Sequence, residues 1–131
     1  MTLLHQAAMF DNARVVPVLV DRGLAVDVKA EDGNTPLMMA ASRGYSKTLE
    51  ALIIKKADVN ARNSIGNTAL MLSIMSNDAD SASLLLDAGA DISLRNAKRE
   101  RAIDLAETSD DERVKQLIRK HESEKKVFGI F

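Results

Sequence analysis

Few groups of side chains in this 131-residue sequence are spaced so that they could perform acid–base or metal chemistry. The two histidines, His5 and His121, lie near opposite ends of the chain. Carboxylates cluster at Asp78 and Asp80 and again over 110–112, a pattern that could supply an acid–base pair or oxygen ligands for a cation. We interpret these carboxylates instead as residues at helix starts, where the helix dipole favours negative charge. His121 is predicted to lie on a solvated helix end.

The motifs of common catalytic and cofactor sites are missing from the sequence. The absence of cysteine excludes disulfides, thiol nucleophiles and zinc–thiolate sites. No calcium-loop, phosphate-loop or paired-histidine spacing occurs. We therefore predict no catalytic residue, no metal site and no cofactor, and we expect that the chain is not an enzyme.

Charge and hydropathy exclude further classes of function. The 18 basic and 19 acidic residues give a net charge of -1, and no basic stripe of the kind that holds nucleic acid is present. No apolar run approaches the roughly 20 residues that span a bilayer. We expect no nucleic-acid partner and no membrane insertion.

The order of secondary-structure elements is indicated by a sequence repeat of 33 residues. Similar blocks begin at Thr2, Thr35, Thr68 and Arg101. Each block predicts a short first helix, with Thr35 and Thr68 as N-caps and Pro36 in the first turn. The helix ends are marked by residues that tolerate left-handed or capping geometry: Asp11, Gly44, Asn77 and Asp110.

A second helix and an extended arm complete each unit. Apolar residues at helical spacing predict the second helix, as in the segment 49–53. The arms lead to turns at 32–34 and 65–67. In the fourth unit Arg99 and Glu100 stand at the place of glycine and asparagine, so we expect an altered turn there.

The chain resembles the ankyrin repeat over residues 2 to about 120. The motif residues that carry the resemblance are Gly33-Asn34-Thr35-Pro36-Leu37, Ala40-Ala41, Gly44 and Gly89-Ala90-Asp91-Ile92. The resemblance implies an all-α solenoid of helix–turn–helix units with projecting β-hairpin-like loops. End repeats are expected to depart from the pattern, because they expose a face that inner repeats bury.

The repeat divides the chain into one domain and a tail. The ankyrin-repeat domain is expected over 1–126, and its first copy is truncated while its fourth is degenerate. The copies are expected over about 1–29, 30–62, 63–95 and 96–120, and a helical extension follows them. Residues 127–131 form an apolar C-terminal tail.

The resemblance also implies a structural role for the histidine position of the motif. In the family the motif histidine hydrogen-bonds between neighbouring loops, which implies that role for His5. Met38 and Met71 replace this histidine and are interpreted as packing residues. Met39 is interpreted as a core residue.

The function that the resemblance implies is non-catalytic binding of another protein through the concave helix face and the loop tips. On the concave face, Met9, Phe10 and Met75 are large apolar residues at positions that vary in the family, which indicates a docking patch. Local packing at an irregular first repeat is the alternative. The predicted contacts are Met9, Phe10, Ser42, Arg43, Tyr45, Met75 and Ser76 on the helices and Glu31, Asp32, Asn34, Ile65 and Asn67 at the tips.

The tail admits two interpretations. Phe128 and Phe131 either fold back over the last repeat or insert into a partner. Insertion leads to the alternative function, a small inhibitor or immunity-type protein that occludes the site of a partner enzyme. A fragment of a larger scaffold is a further alternative.

We expect a cytoplasmic protein that is monomeric when unbound. No signal peptide is visible, but Met1 stands directly before the first block, without the loop that leads into the other copies. A periplasmic or secreted location is the alternative if a leader preceded Met1.

Overall fold

A computed structural model describes residues 1–129, with side chains as far as Val127. Over these residues the chain forms helices and no strand, which confirms the all-α prediction. The helices are α1 (Leu3–Met9), α2 (Val15–Asp21), α3 (Pro36–Arg43), α4 (Ser46–Ile54), α5 (Ala69–Met75), α6 (Ala79–Asp87), α7 (Ala102–Glu107) and α8 (Glu112–Gly129). Among the described residues, no helix has both the length and the apolar content to cross a membrane.

The helices are arranged in two rows. The first helices of the units contact one another in the order α1, α3, α5 and α7, and α2, α4, α6 and α8 form the second row. Each first helix also packs against the helix that follows it. The helices from α1 to α7 have six to nine residues. Isolated helices shorter than about 12–15 residues are marginal in water, so stacking supplies their stability.

Threonine begins the first helix in three of the units. The hydroxyl oxygens of Thr2, Thr35 and Thr68 accept hydrogen bonds from the backbone N–H three residues later. Pro36 follows Thr35 at a position where no N–H is needed. The predicted N-caps are confirmed, and they set each first helix at the same place in its unit.

Left-handed backbone recurs at three positions of the repeat. The residues with positive φ are Asp11, Gly44 and Asn77 after the first helix, Gly23, Lys56 and Gly89 after the second helix, and Gly33, Gly66 and Arg99 in the loop. The first helices end within three residues of the four predicted positions, and the first set shows left-handed geometry at three of them; Asp110, three residues after the end of α7, does not have a positive φ. The chain therefore turns in the same way at corresponding places of successive units.

The core lies between the two rows of helices. Small side chains occupy one position of all four first helices, where Ala7, Ala40, Ser73 and Ala106 are buried. Small residues there let the helices approach closely. The larger core residues are aliphatic and include Leu37, Leu49, Leu52, Leu70, Leu85 and Ile118.

Of the three methionines interpreted as packing or core residues, one is less buried than predicted. Met38 and Met71 are fully buried, which agrees with their interpretation as packing residues. Met39, interpreted as core, is only partly buried and packs against the edge of the core. It lies one residue further around α3, on the side that faces the loops.

Candidate functional site

Each of the three loops between helix pairs ends in a tight, hairpin-like tip. In the first tip, Gly33 N–H donates to Ala30 O and Ala30 N–H donates to Asn34 O, both at 2.9 Å. Equivalent pairs of hydrogen bonds close the tips at 63–67 and 96–100. A left-handed third residue is usual in such short hairpin loops. The apex residues are therefore Glu31 and Asp32, Ser64 and Ile65, and Ala97 and Lys98.

The tip at 96–100 has the same turn as the others, so the expected alteration is wrong. Arg99 adopts a φ of 64° and donates its N–H to Asn96 O at 2.9 Å. At Gly33 and Gly66, an added Cβ would lie 2.7 Å and 2.9 Å from a backbone nitrogen of the next loop. In the part of the chain that the structure describes, no further loop packs on Arg99, and its side chain is accommodated.

Backbone hydrogen bonds connect the three tips. Ser64 N–H donates to Asp32 O at 3.0 Å, and Ala97 N–H donates to Ile65 O at 2.9 Å. These bonds join apex residues directly and fix the spacing of the tips. A preformed surface loses less conformational freedom when a partner binds.

A ladder of side-chain hydrogen bonds lies beneath the tips. His5 Nε2 donates to Asn34 O at 2.9 Å, which places the fully buried imidazole in the structural role that the resemblance implies. Asn63 Nδ2 donates to Asn34 Oδ1, and Asn96 Nδ2 donates to Asn67 Oδ1. Asn34 and Asn67 are predicted contacts, but both amide oxygens are used in this ladder and Asn67 is buried. In the structure, the side chains of Asn34 and Asn67 support the tips through these hydrogen bonds.

An apolar groove joins one tip to one helix end. Ile65, at the second apex, is 60% exposed, and Met75, the last residue of α5, is 47% exposed. Both residues line a groove of about 260 Å³. The remaining lining residues of this Ile65 groove are Asn67, Asn96, Ala97, Lys98 and Glu100. The sequence indicated Ile65 and Met75 separately, and the structure brings them together.

Met9 and Phe10 lie apart from the Ile65 groove. Phe10 is 76% exposed and lines a different hollow, of about 290 Å³, with Leu3 and Val15 at the N-terminal end of the stack. Met9 is partly buried. The structure thus does not unite Met9, Phe10 and Met75 in one hollow.

The remaining predicted helix contacts lie at the ends of α3 and α5. Ser76 Oγ lies 2.8 Å from Ser42 O, to which it can donate, and this contact joins the two helix ends. Arg43 is exposed and makes no ion pair with the described residues. Tyr45 is partly buried and packs against the core. Arg43 is the one charged residue among these predicted contacts, and it is exposed.

Comparison with known families agrees with this architecture. The family model described as ankyrin repeats (3 copies) matches residues 4–96, well over half of the chain. The chain belongs to the ankyrin-repeat family. Ankyrin repeats are generic protein–protein interaction modules and are typically non-catalytic. The α7–α8 pair lies beyond the matched residues.

Similar segments occur in curated ankyrin-repeat relatives. Identity is 46% over 56 residues with protein glp-1 of Caenorhabditis elegans, which covers 43% of this chain and 4% of that protein. It is 42% over 53 residues with the transient receptor potential cation channel subfamily A member 1 of Drosophila melanogaster, 40% of this chain and 4% of the channel. It is 36% over 56 residues with ankyrin repeat protein FPV219 of fowlpox virus (strain NVSL), 43% of this chain and 13% of that protein. The chain spans only a small part of the length of each relative.

Two of the clustered carboxylates in this ankyrin-repeat chain, Asp78 and Asp111, have structural partners. Asp78 is the N-cap of α6 and accepts from Ser81. Hydrogen bonds from the side chain and the backbone N–H of Arg113, together with the charge of its guanidinium, hold the pKa of Asp111 below its ordinary value. No group of three or more potential metal ligands occurs among the described residues. His121 lies on α8, where its Nδ1 is 3.3 Å from Leu117 O.

A bidentate ion pair joins α7 to α8, and its contribution to the stability of the fold depends on pH. Arg119 Nε and Nη2 donate to the two carboxylate oxygens of Glu107 at 2.8 Å and 2.7 Å. The Arg119 guanidinium lowers the pKa of Glu107 below its ordinary value of 4.5. A carboxylate with a lowered pKa in the folded state stabilises the fold above its unfolded pKa, and this stabilisation is lost as pH falls through the folded value.

We expect Glu107→Gln to reduce the pH dependence of stability below about pH 4.5, because the variant has no proton to bind at this site. The measurement is urea unfolding of both proteins between about pH 6 and about pH 3. Arg119→Gln should also reduce the pH dependence of stability in this interval, because it removes the other partner of the ion pair. If the free energy of unfolding changes with pH in both variants as it does in the wild type, the ion pair does not contribute to the pH dependence of stability.

The predicted tail begins within α8. The helix continues to Gly129, beyond the expected boundary at residue 126, and Val127 is about half exposed. The Phe128 side chain and Phe131 lie outside the described residues. The tail-inserting inhibitor therefore stays a prediction, as do the domain boundaries, the compartment and the monomeric state.

Proposed function

We propose that this ankyrin-repeat chain binds another protein through the Ile65 groove and the loop tips beside it. The observation that supports the proposal is the pairing of two exposed apolar side chains, Ile65 and Met75, in one groove. Single exposed apolar residues are common on protein surfaces, but a concave pair is a favourable site for an anchor residue of a partner.

The framework around the groove favours the same use. Ile65 is held by its backbone, since its carbonyl accepts from Ala97 N–H and its N–H donates to Asn63 Oδ1 at 3.1 Å. Burial of an aliphatic side chain contributes about 1.5–3 kcal/mol. Because the loop is ordered before binding, little of this gain is lost to fixing the backbone.

We expect the double variant Ile65→Asp/Met75→Asp to lose at least about 30-fold in affinity for the natural partner. The loss has two causes, the removal of apolar burial and the desolvation of two carboxylates in the contact. The partner is captured from the native source with the wild-type chain, and its dissociation constants are then measured with purified components. Thermal unfolding of the variant should stay near that of the wild type, because the backbone hydrogen bonds of Ile65 remain possible.

Ile54→Asp supplies the matched control. Ile54 is the last residue of α4 in the second row, is 68% exposed and does not line the Ile65 groove. Its substitution introduces one carboxylate, half the charge of the double variant, at an aliphatic residue that is at least as accessible, and we expect binding to be unchanged. Equal binding by the wild type and the double variant would refute the proposed surface.

A further inference from the structure

The three loop tips carry different charges although their backbones are equivalent. The first apex is acidic, with Glu31 and Asp32, and the second is uncharged, with Ser64 and Ile65. The third pairs Lys98 at the apex with the adjacent Arg99. The charge of the apex residues therefore changes in one direction along the row of tips, from negative through neutral to positive.

The neighbouring charges preserve this order. A basic residue precedes the apex of every loop, and only the third loop has an acidic residue after the apex, Glu100, whose Oε1 accepts from Asn96 Nδ2 at 3.0 Å. The formal charge over 29–34 is -1, from Lys29 with Glu31 and Asp32; over 62–67 it is +1, from Arg62; and over 95–100 it is +2, from Arg95, Lys98 and Arg99 with Glu100.

The charged apex side chains are available to a ligand. Glu31 and Lys98 are exposed, and neither side chain has a hydrogen-bond or ion-pair partner among the described residues. Asp32 is also exposed, although its two carboxylate oxygens accept from Asn34. The Ile65 groove lies between Glu31 and Lys98 in the order of the tips, and Lys98 itself lines the groove.

The spacing of the tips suits an extended polypeptide. Packed helices lie about 8–10 Å apart, so the first and third tips are about 16–20 Å apart. An extended chain advances about 3.3 Å per residue, so neighbouring tips correspond to about three residues. The groove, about 260 Å³ in volume, is smaller than typical small-molecule pockets of about 300–1,000 Å³ and suits a single apolar side chain.

We propose that the loop tips bind an extended segment of a partner protein that carries a basic, an apolar and an acidic side chain in line, about three residues apart. The basic side chain lies over Glu31, the apolar one enters the Ile65 groove, and the acidic one lies over Lys98. This proposal rests on the proposed function and adds the chemistry of the partner. Complementary charge at both ends gives specificity, and the apolar residue supplies the anchor.

Three synthetic nine-residue peptides, blocked at both termini, test the order of charges. Each has Leu at the centre, Ser and Gly elsewhere, and one charged residue three positions away on either side. The pairs are Lys with Glu, Lys with Lys, and Glu with Glu. Titrations are followed by amide chemical shifts of the isotopically labelled chain at low ionic strength, where exposed charges are least screened.

We expect the mixed peptide to bind about fivefold more tightly than either single-sign peptide, with the largest shifts at 31–33, 64–66 and 97–99. In the Glu31→Lys variant the preference should move to the peptide with two Glu residues. Glu50→Lys is the matched control, because it makes the same change of net charge at an exposed residue of α4, away from the tips. It should leave the preference unchanged.

Three outcomes would overturn the inference: equal binding of the three peptides, no binding of any, or a preference that Glu31→Lys does not alter. A second copy of the chain is the competing occupant, because a two-fold axis through Ile65 would also bring Glu31 of one copy near Lys98 of the other. Sedimentation of the chain alone distinguishes this case. A dimer that Ile65→Asp dissociates would assign the surface to self-association, whereas a monomer agrees with the proposal.

The outcomes also separate this inference from the proposed function. A natural partner whose binding depends on Ile65 and Met75 would sustain the proposed function even where the peptides show no preference for charge order. The basic–apolar–acidic order alone would then be abandoned.

Discussion

Gly66→Ala is expected to lower the free energy of unfolding by about 2–5 kcal/mol. Gly66 has a φ of 78°, where a residue with a Cβ is strained by about 1–2 kcal/mol. The added Cβ would also lie 2.9 Å from Ala97 N and 3.0 Å from Asn96 Cα. Both contacts are with backbone, so no side-chain rotation relieves them, and overpacking costs about 1–3 kcal/mol more. Urea unfolding followed by circular dichroism measures the loss.

Gly89→Ala separates the two causes. Gly89 has a φ of 93°, but nothing lies within 4 Å of the Cβ that the substitution would add. Only the backbone strain remains, so the loss should be about 1–2 kcal/mol. Equal losses at Gly66 and Gly89 would contradict the importance of loop-on-loop packing. The matched pair therefore measures how much the close approach of two tips adds to the requirement for glycine.

The fold could be predicted from the sequence because its signals are local and repeat at a fixed spacing. A threonine cap such as Thr35, a proline in the first turn and a glycine such as Gly44 each specify geometry within a few residues. The turn at 96–100 was predicted wrongly for a non-local reason. The need for glycine comes from the next loop as well as from φ, and Arg99 is not covered by a further loop among the described residues.

The candidate site could be predicted only in part. Ile65 and Met75 break the repeat at exposed places, and this property is visible in the sequence. Their meeting in one groove depends on how the tip at 63–67 is oriented over the end of α5, which no short-range pattern encodes. Asn96 and Ala97 were missed for the same reason, although Asn96 could have been found as the counterpart, 33 residues later, of Asn63.

His5→Ala is expected to cost about 3 kcal/mol of stability. The ring is fully buried, its Nε2 donates to Asn34 O at 2.9 Å, and its Nδ1 accepts from Thr2 N–H at 3.1 Å. Loss of these hydrogen bonds contributes about 1 kcal/mol each, and the remainder comes from lost packing and the cavity that alanine leaves. Amide hydrogen exchange should also increase over 30–34, because the first tip loses its connection to α1.

His5→Met distinguishes hydrogen bonding from packing, because methionine fills the equivalent buried position at Met38 and Met71. This variant restores most of the volume and should still lose about 1–2 kcal/mol. The reciprocal change, Met38→His, places an imidazole beneath Asn67 O, the counterpart of Asn34 O, where a donor can be used. It should be neutral or stabilising by up to about 1 kcal/mol. Full stability in His5→Met, or a large loss in Met38→His, would show that packing rather than the hydrogen-bond ladder determines this position.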